Sequence, residues 1–231
     1  MVSIEFLGWN KMHDDLSLLS NQWEPLFERK IAGTASAEDP AHDLLHFNRV
    51  VKVAKLLCES ENGNPYVVIP AAWLHDLVIV PKNSPLRSQA SRLSAEKALE
   101  FLNSINYPDK YHASIAHAIE AHSFSAGIEA KTLEAKIVQD ADRLDGLGAI
   151  GIARCFATAG VIKRPFYHIE DPFCESRDPN DSVYTVDHFY QKLFKTAATL
   201  QTQSGREEGK RRVETMKAFL EVFRSEILST T

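Results

Sequence analysis

The chain has 231 residues, 44% of them hydrophobic and 25% charged, which places it with folded globular proteins and excludes disordered, collagen-like and coiled-coil chains. Its 26 basic and 31 acidic residues give a net charge of −5, so no whole-surface basic field marks it as a binder of nucleic acid polymers or anionic membrane. Cys58, Cys155 and Cys174 form no CxxC pair and leave an odd thiol, which fits a reducing compartment better than a disulfide framework.

The amino terminus carries Glu5, Lys11, Asp14 and Asp15 with no apolar core for a secretory signal. No run approaches the ~20 apolar residues of a membrane span. The expected location is therefore cytoplasmic, with no membrane partner.

Helical periodicity dominates the rest. After a loop around Ala32 to Pro40, Val50, Val53, Ala54 and Leu57 recur at helical spacing, and the helix should end before Glu61-Asn62-Gly63-Asn64-Pro65. Tyr66 to Val78 is apolar almost all round and reads as a central buried helix, with Pro70 either kinking it or marking its start. A polar loop follows from Pro81 to Ser91. Helices are expected over Ser94 to Ser104 and Asp109 to Ser123, then a turn near Gly127. A long helical pattern runs from Leu133 to about Thr158, tolerating Gly146, Gly148 and Gly151, where a neighbouring helix could approach closely. Gly160 to Ser182 reads as an ordered surface excursion, because Phe166, Tyr167 and Phe173 are too apolar to leave solvated. Two amphipathic helices close the chain, near Val186 to Leu200 and from about Arg206 to Leu228, the second with Val213, Met216, Leu220, Phe223 and Ile227 facing inward. No long run alternates at period two, so the fold class is all-α, as a single-domain helical bundle.

Ionisable residues interrupt these apolar stripes. His46 continues the Val50, Val53, Ala54 and Leu57 face, His75-Asp76 ends the most apolar run, and His122 continues the Ile115 and Ile119 stripe. Asp142 shares a stripe with Val138, Asp145, Ala149 and Ile152. A lone inward histidine is more often a hydrogen-bonded core residue than a ligand. An isolated buried carboxylate is different, since it costs several kcal/mol or stays protonated. Two inward aspartates and several histidines on adjacent helices make a shared divalent cation the economical solution. The mixed nitrogen and oxygen set suits Mn²⁺, Fe²⁺, Co²⁺, Ni²⁺ or Zn²⁺ better than Ca²⁺. Between Lys82 and Lys97, the cations Lys82, Arg87, Arg92 and Lys97 face the single acid Glu96; this is either an ordinary solvated segment or a patch for anionic phosphates.

The ordered set His46-Phe47-Asn48-Arg49-Val50, then Ala-Ala-Trp-Leu-His75-Asp76, then Asp140-Ala-Asp142-Arg143-Leu144-Asp145, resembles the HD-domain metal-dependent phosphohydrolase superfamily. The likeness covers Ala41 to about Thr158 as the metal-site core. Asp187-His-Phe-Tyr-Gln-Lys-Leu and the final helix with Arg212 are similar to small bacterial single-domain members, so the resemblance implies one domain over 1–231, with an extension over about 183–229 packing on the core.

The resemblance implies metal ligands at His46, His75, Asp76 and Asp142 for a divalent cation (Mn, Ni, Co, Fe, Mg or Zn), which polarises phosphate and activates a water for attack on phosphorus. Asp76 thereby also counts among the catalytic residues. His122 matches a position near the metal, as a phosphate contact, a general acid or a ligand for a second ion. His117 reads as structural, and His42 either lines the mouth or starts the helix. Arg49 and Arg143 are the stronger substrate-binding candidates beside Lys82, Arg87 and Arg92, although Arg143 could instead pair with Asp140 or Asp145.

Many family members carry a carboxylate shortly after His-Asp. Here Leu77-Val78-Ile79-Val80-Pro81 has none. Either the metal alone activates water, or His122 or Asp145 takes the proton role, or turnover is lost. The implied partner is a small phosphorylated molecule, best matched by a nucleotide, cleaved at a phosphomonoester, pyrophosphate or cyclic ester bond; a homodimer is allowed. The alternative is a non-catalytic sensor of metal and nucleotide that signals through Gly160 to Ser182.

Overall fold

The computed structural model describes residues 3–33, 44–80 and 84–228, with side chains described from Met12 onward. Ten α-helices lie within them: α1 Ser3–Gln22, α2 Glu24–Ala32, α3 Leu44–Glu61, α4 Pro65–Leu74, α5 Ala90–Ser104, α6 His112–His122, α7 Leu133–Asp145, α8 Gly148–Val161, α9 Phe194–Ala197 and α10 Gln203–Leu228. No strand occurs among the described residues, so the all-α class holds. No single described helix is long and apolar enough to cross a membrane. Contacts divide the chain into two compact units, Met1–Asp142 and Arg143–Thr231.

In the first unit α4 is the axis, packed by α1, α2, α3, α5 and α6. Val67 to Leu74 are all buried, as an all-round apolar helix requires. Its start is set by Asn64, whose side chain accepts the Tyr66 N–H at 3.1 Å, and by Pro65 in the first turn. Pro70 therefore lies inside the helix and does not mark its start. A proline there leaves the carbonyl four residues back without its amide. That carbonyl, Tyr66 O, accepts the buried Tyr107 hydroxyl at 2.8 Å instead. The helix also stops earlier than the apolar run, so His75 caps it and Asp76 to Val78 lie in the turn beyond.

The α1 and α2 pair, to which sequence patterning assigned no element, buries Leu16, Leu19, Phe27 and Ile31. Glu24 opens α2, accepts the Trp73 indole N–H at 3.1 Å and pairs with Lys55 at 2.6 Å. Helix α5 begins four residues before the expected Ser94, preceded by a 3₁₀ turn at Arg87–Gln89. The segment expected to be one helix from Asp109 is a 3₁₀ turn at Asp109–Tyr111 followed by α6.

The single long helix expected from Leu133 to Thr158 is two helices. Leu147 is extended (φ −118°, ψ 166°) and Gly148 has φ +69°, a left-handed conformation that ends one helix and starts another. The inward stripe stops at this break, and Ala149 is exposed. Close approach of a neighbour does hold at Gly148, where an added Cβ would meet Arg212 Cγ of α10 at 3.1 Å.

In the second unit α8 packs on α10. Phe156 stands edge-on to Phe166, Phe189, Phe219 and Phe223. Met216 and Leu220 are buried on α10, while Val213, Phe223 and Ile227 are half-buried. The expected helix over Val186 to Leu200 is shorter, a π-turn at Phe189–Leu193 running into α9. The preceding excursion is ordered around buried Phe173, but Phe166 remains 53% exposed, against expectation. Asp187 accepts both Arg177 guanidinium nitrogens at 2.5 and 2.7 Å and the Asn180 N–H at 2.6 Å. Cys58 and Cys155 are buried thiols, pushed up to about 12 and about 11 by burial.

Candidate metal centre

Four helices deliver five side chains to one place in the first unit. His46 comes from the first turn of α3, His75 and Asp76 from the end of α4, His122 from the last residue of α6 and Asp142 from α7. The three histidines are buried, at 1%, 0% and 4% exposure. His46 Nε2 stands 3.4 Å from His75 Nε2, and Asp142 Oδ1 is 3.7 Å from each. Asp76 Oδ2 is 3.7 Å from His75 Nε2, while its Oδ1 lies 3.4 Å from His122 Nε2. These atoms fall into two overlapping donor groups, His46, His75 and Asp142, and His75, Asp76 and His122, sharing His75.

The helix end explains how neighbours in sequence both reach the cluster. On a continuing helix His75 and Asp76 would point ~100° apart. Because α4 stops at Leu74, Asp76 is free of that constraint.

Backbone carbonyls set the ring tautomers. His75 Nδ1 meets Ala72 O at 2.9 Å and His122 Nδ1 meets Ile119 O at 2.5 Å. In each ring the Nδ1–H donates to a carbonyl three residues back, which leaves Nε2 facing the cluster. Phe47, 1% exposed, walls the site with its ring 5.3 Å from that of His75. Gln139, buried on α7 one turn before Asp142, donates to Ala121 O at 2.6 Å and ties α7 to the end of α6.

Burial drives the His75 imidazole down to about 4, with the Asp76 and Asp142 charges only partly opposing it. His75 is therefore neutral near pH 7 with its Nε2 lone pair inward. Burial would also lower His122, but the hydrogen bond and charge of Asp76, then Asp142 and the Ile119 carbonyl, together outweigh it and raise its affinity for a proton. Lone pairs of buried imidazoles and oxygens of two half-buried carboxylates, Asp76 at 21% and Asp142 at 29% exposure, thus meet at 3.7 Å, an arrangement that can hold a cation. Two ligands each ~2.1 Å from a shared divalent ion lie roughly 3.0 to 3.4 Å apart. The His46, His75 and Asp142 atoms, 3.4 to 3.7 Å apart, stand near that spacing, while Asp76 belongs to the second group with His75 and His122. The residues fit such an ion, and imidazole with carboxylate suits Mn²⁺, Fe²⁺, Co²⁺, Ni²⁺ or Zn²⁺.

The other candidates lie as follows. Asp145 is buried and its carboxylate is ion-paired with Arg154, outside the donor groups. Arg143 donates to the Thr199 carbonyl and hydroxyl, both at 2.9 Å. Arg49 is half-buried on α3, one turn after His46. Arg87 donates to Val80 O at 2.9 Å, which braces the segment after Asp76, and Arg92 is exposed on α5. Lys97 pairs with Glu100 at 2.7 Å. Lys82 and His42 lie outside the described residues. His117 accepts the Lys131 N–H at 3.1 Å, a structural use.

Two supporting side chains carry no sequence signal: Gln139, and Ser94, whose Oγ, fully buried on α5, accepts the Val78 N–H at 3.0 Å and holds the turn after Asp76. A cavity of about 700 Å³ opens at the other end of α4, lined in part by Asp15, Trp23, Tyr66 and Tyr111, and contains none of the donors.

Comparison with known proteins gives the family. Residues 44–147 match the HD domain family model. YpgQ of Bacillus subtilis (strain 168) is 30% identical over 194 residues, covering 82% of this chain and 86% of YpgQ. An HD-superfamily hydrolase from Bacillus thuringiensis superposes with a TM-score of 0.68 at 30% identity, over 90% of this chain and 99% of that one. The structure of Bacillus subtilis YpgQ in complex with ADP superposes with a TM-score of 0.68 at 28% identity, over 89% and 96%.

Proposed function

For a chain that belongs to the HD-domain family of metal-dependent hydrolases, we propose hydrolysis of a phosphoester or phosphoanhydride bond in a nucleotide, by water attack on phosphorus. The observation that carries this reading is the convergence of buried His46 and His75 with Asp142, and with Asp76 beside them. A bound divalent cation would supply Lewis acidity toward a phosphoryl oxygen and lower the pKa of a water.

The chain's own residues do the rest. His46, His75, Asp76 and Asp142 hold the ion, and the carbonyls of Ala72 and Ile119 keep the His75 and His122 rings aimed. His122, 3.4 Å from Asp76 Oδ1 with its Nε2 facing the cluster, serves as general acid toward the leaving oxygen. It is better placed for that role than Asp145, whose carboxylate is engaged by Arg154. Arg49, one turn from His46, contacts the substrate phosphate. The nucleotide class is supported by the ADP bound to the related YpgQ. The compartment we assign is the cytoplasm, with no nucleic acid polymer or membrane as partner.

A metal and nucleotide sensor is the second reading, favoured by one observation: no acid follows His75-Asp76 in Leu77-Val78-Ile79-Val80. One panel separates the two. Nucleoside mono-, di- and triphosphates are incubated with Mn²⁺, Mg²⁺, Co²⁺ or Ni²⁺, and phosphate and pyrophosphate are read separately. Product that disappears in Asp76→Asn supports the enzyme; nucleotide binding without product under every metal supports the sensor.

A further inference from the structure

Three large apolar side chains stand exposed near the donor cluster in sequence, two of them, Phe124 and Ile79, on chain that leaves it directly. Phe124 is 80% exposed, Leu86 48% and Ile79 37%. Phe124 follows buried His122 by two residues, and Ile79 follows Asp76 by three. Asp76 and His122 are themselves linked at 3.4 Å, so both segments diverge from a single bonded pair. At ~3.8 Å per residue the Phe124 and Ile79 α-carbons lie within about 8 and 11 Å of the α-carbons of that pair.

Both segments are braced. Ser94 holds Val78, Arg87 holds the Val80 carbonyl, and the 3₁₀ turn Arg87–Gln89 packs against the 3₁₀ turn Phe124–Ala126. Leu86 immediately precedes the first of these turns and Phe124 opens the second. An exposed phenyl ring on a braced turn is a rigid surface that loses little conformational freedom when covered.

We infer that Phe124, flanked by Leu86 and Ile79, is the platform on which the nucleobase of the substrate stacks while its phosphates reach the donor cluster. This rests on the nucleotide reading above. The platform makes a base-bearing phosphate a better ligand than the same phosphates alone, because an aromatic face stacks on any base with little regard to its edge pattern. Phe124 is thus a specificity residue rather than a catalytic one, and the expected preference is for nucleotides as a class over base-free polyphosphates.

The test measures binding of ADP and of inorganic pyrophosphate to the Mn²⁺-loaded protein by calorimetric titration. The ratio of the two affinities should fall roughly 5- to 150-fold in Phe124→Ala and recover in Phe124→Trp. The indole added in Phe124→Trp should also change its emission with ADP and not with pyrophosphate. An unchanged ratio in Phe124→Ala, with both ligands still binding, overturns the platform and leaves the proposed function standing. Wild-type protein that binds neither ligand overturns both. Because Phe124 is mostly exposed, its truncation removes little packing, and a folded Phe124→Trp protein keeps the test decisive.

Discussion

Ser91 and Ser94 lie one turn apart on α5, at 1% and 0% exposure, and differ in one respect. Ser94 Oγ accepts the Val78 N–H at 3.0 Å and donates to Val78 O at 3.5 Å. Ser91 Oγ has no hydrogen-bond partner among the described residues. Ser94→Ala leaves the Val78 amide of a half-buried turn without its acceptor, costing about 1 to 3 kcal/mol. Ser91→Ala removes a hydroxyl that is buried at a cost, and alanine is also the better helix former by about 0.5 kcal/mol, so this variant should be neutral or up to about 1 kcal/mol more stable. For a chain of this length each kcal/mol is roughly 2 to 4 °C in Tm, so the two variants should melt about 2 to 16 °C apart. Denaturant unfolding gives the free energies, and hydrogen exchange should show lost protection at Val78 in Ser94→Ala alone. Equal destabilisation by the two substitutions, or a Ser94→Ala protein within about 0.5 kcal/mol of wild type, would refute the assignment of Ser94 as the brace behind Asp76.

Asp187→Asn removes the charge that the half-buried Arg177 guanidinium faces, leaving it the Asp171 carbonyl, and should destabilise the second unit by about 1.5 to 3 kcal/mol, read by thermal unfolding; a loss under about 0.5 kcal/mol would count against a bidentate pair. The Arg211 guanidinium, with Arg212 beside it, holds the Glu208 carboxyl down to about 2 from its ordinary 4.5. A depressed carboxylate contributes stability that is present above pH 4.5 and lost as the pH falls through about 2. At this partly exposed site it amounts to less than about 1 kcal/mol. Glu208→Gln should therefore unfold more easily than wild type at pH 6 and match it near pH 2, and a constant difference across that range would contradict the pairing.

The helical class and the meeting of His46, His75, Asp76 and Asp142 were legible because both depend on local pattern. His46 shares its phase with Val50, Ala54 and Leu57, and His75-Asp76 closes the most apolar run in the chain. Boundaries were less legible where distant partners decide them. Pro70 is tolerated inside α4 because Tyr107, far along the chain, supplies the hydrogen bond it removes. The break at Gly146 to Gly148 looked like tolerated glycine in one helix, since the need for φ +69° at Gly148 is invisible in hydrophobic periodicity. Arg87 and Arg143 stand out in the sequence as cations, yet their guanidinium groups meet the Val80 and Thr199 carbonyls, which no charge pattern records. Ser94 and Gln139 carry no charge and match no motif, so their bracing roles emerged only with the packing of α5 and α7.

Mn²⁺ binding at pH 7.5 to protein stripped of metal, in wild type, His75→Ala and Asp142→Asn, reaches the donor cluster most directly. His75 belongs to both donor groups and Asp142 Oδ1 lies 3.7 Å from two histidines, so neither can be spared. Wild type should bind saturably, and each substitution should weaken binding at least about 100-fold, beyond the 10- to 100-fold typical of losing a supporting partner. Circular dichroism should show both variants folded. Wild-type affinity in both folded variants would mean that the cluster of His46, His75, Asp76 and Asp142 is not the metal centre.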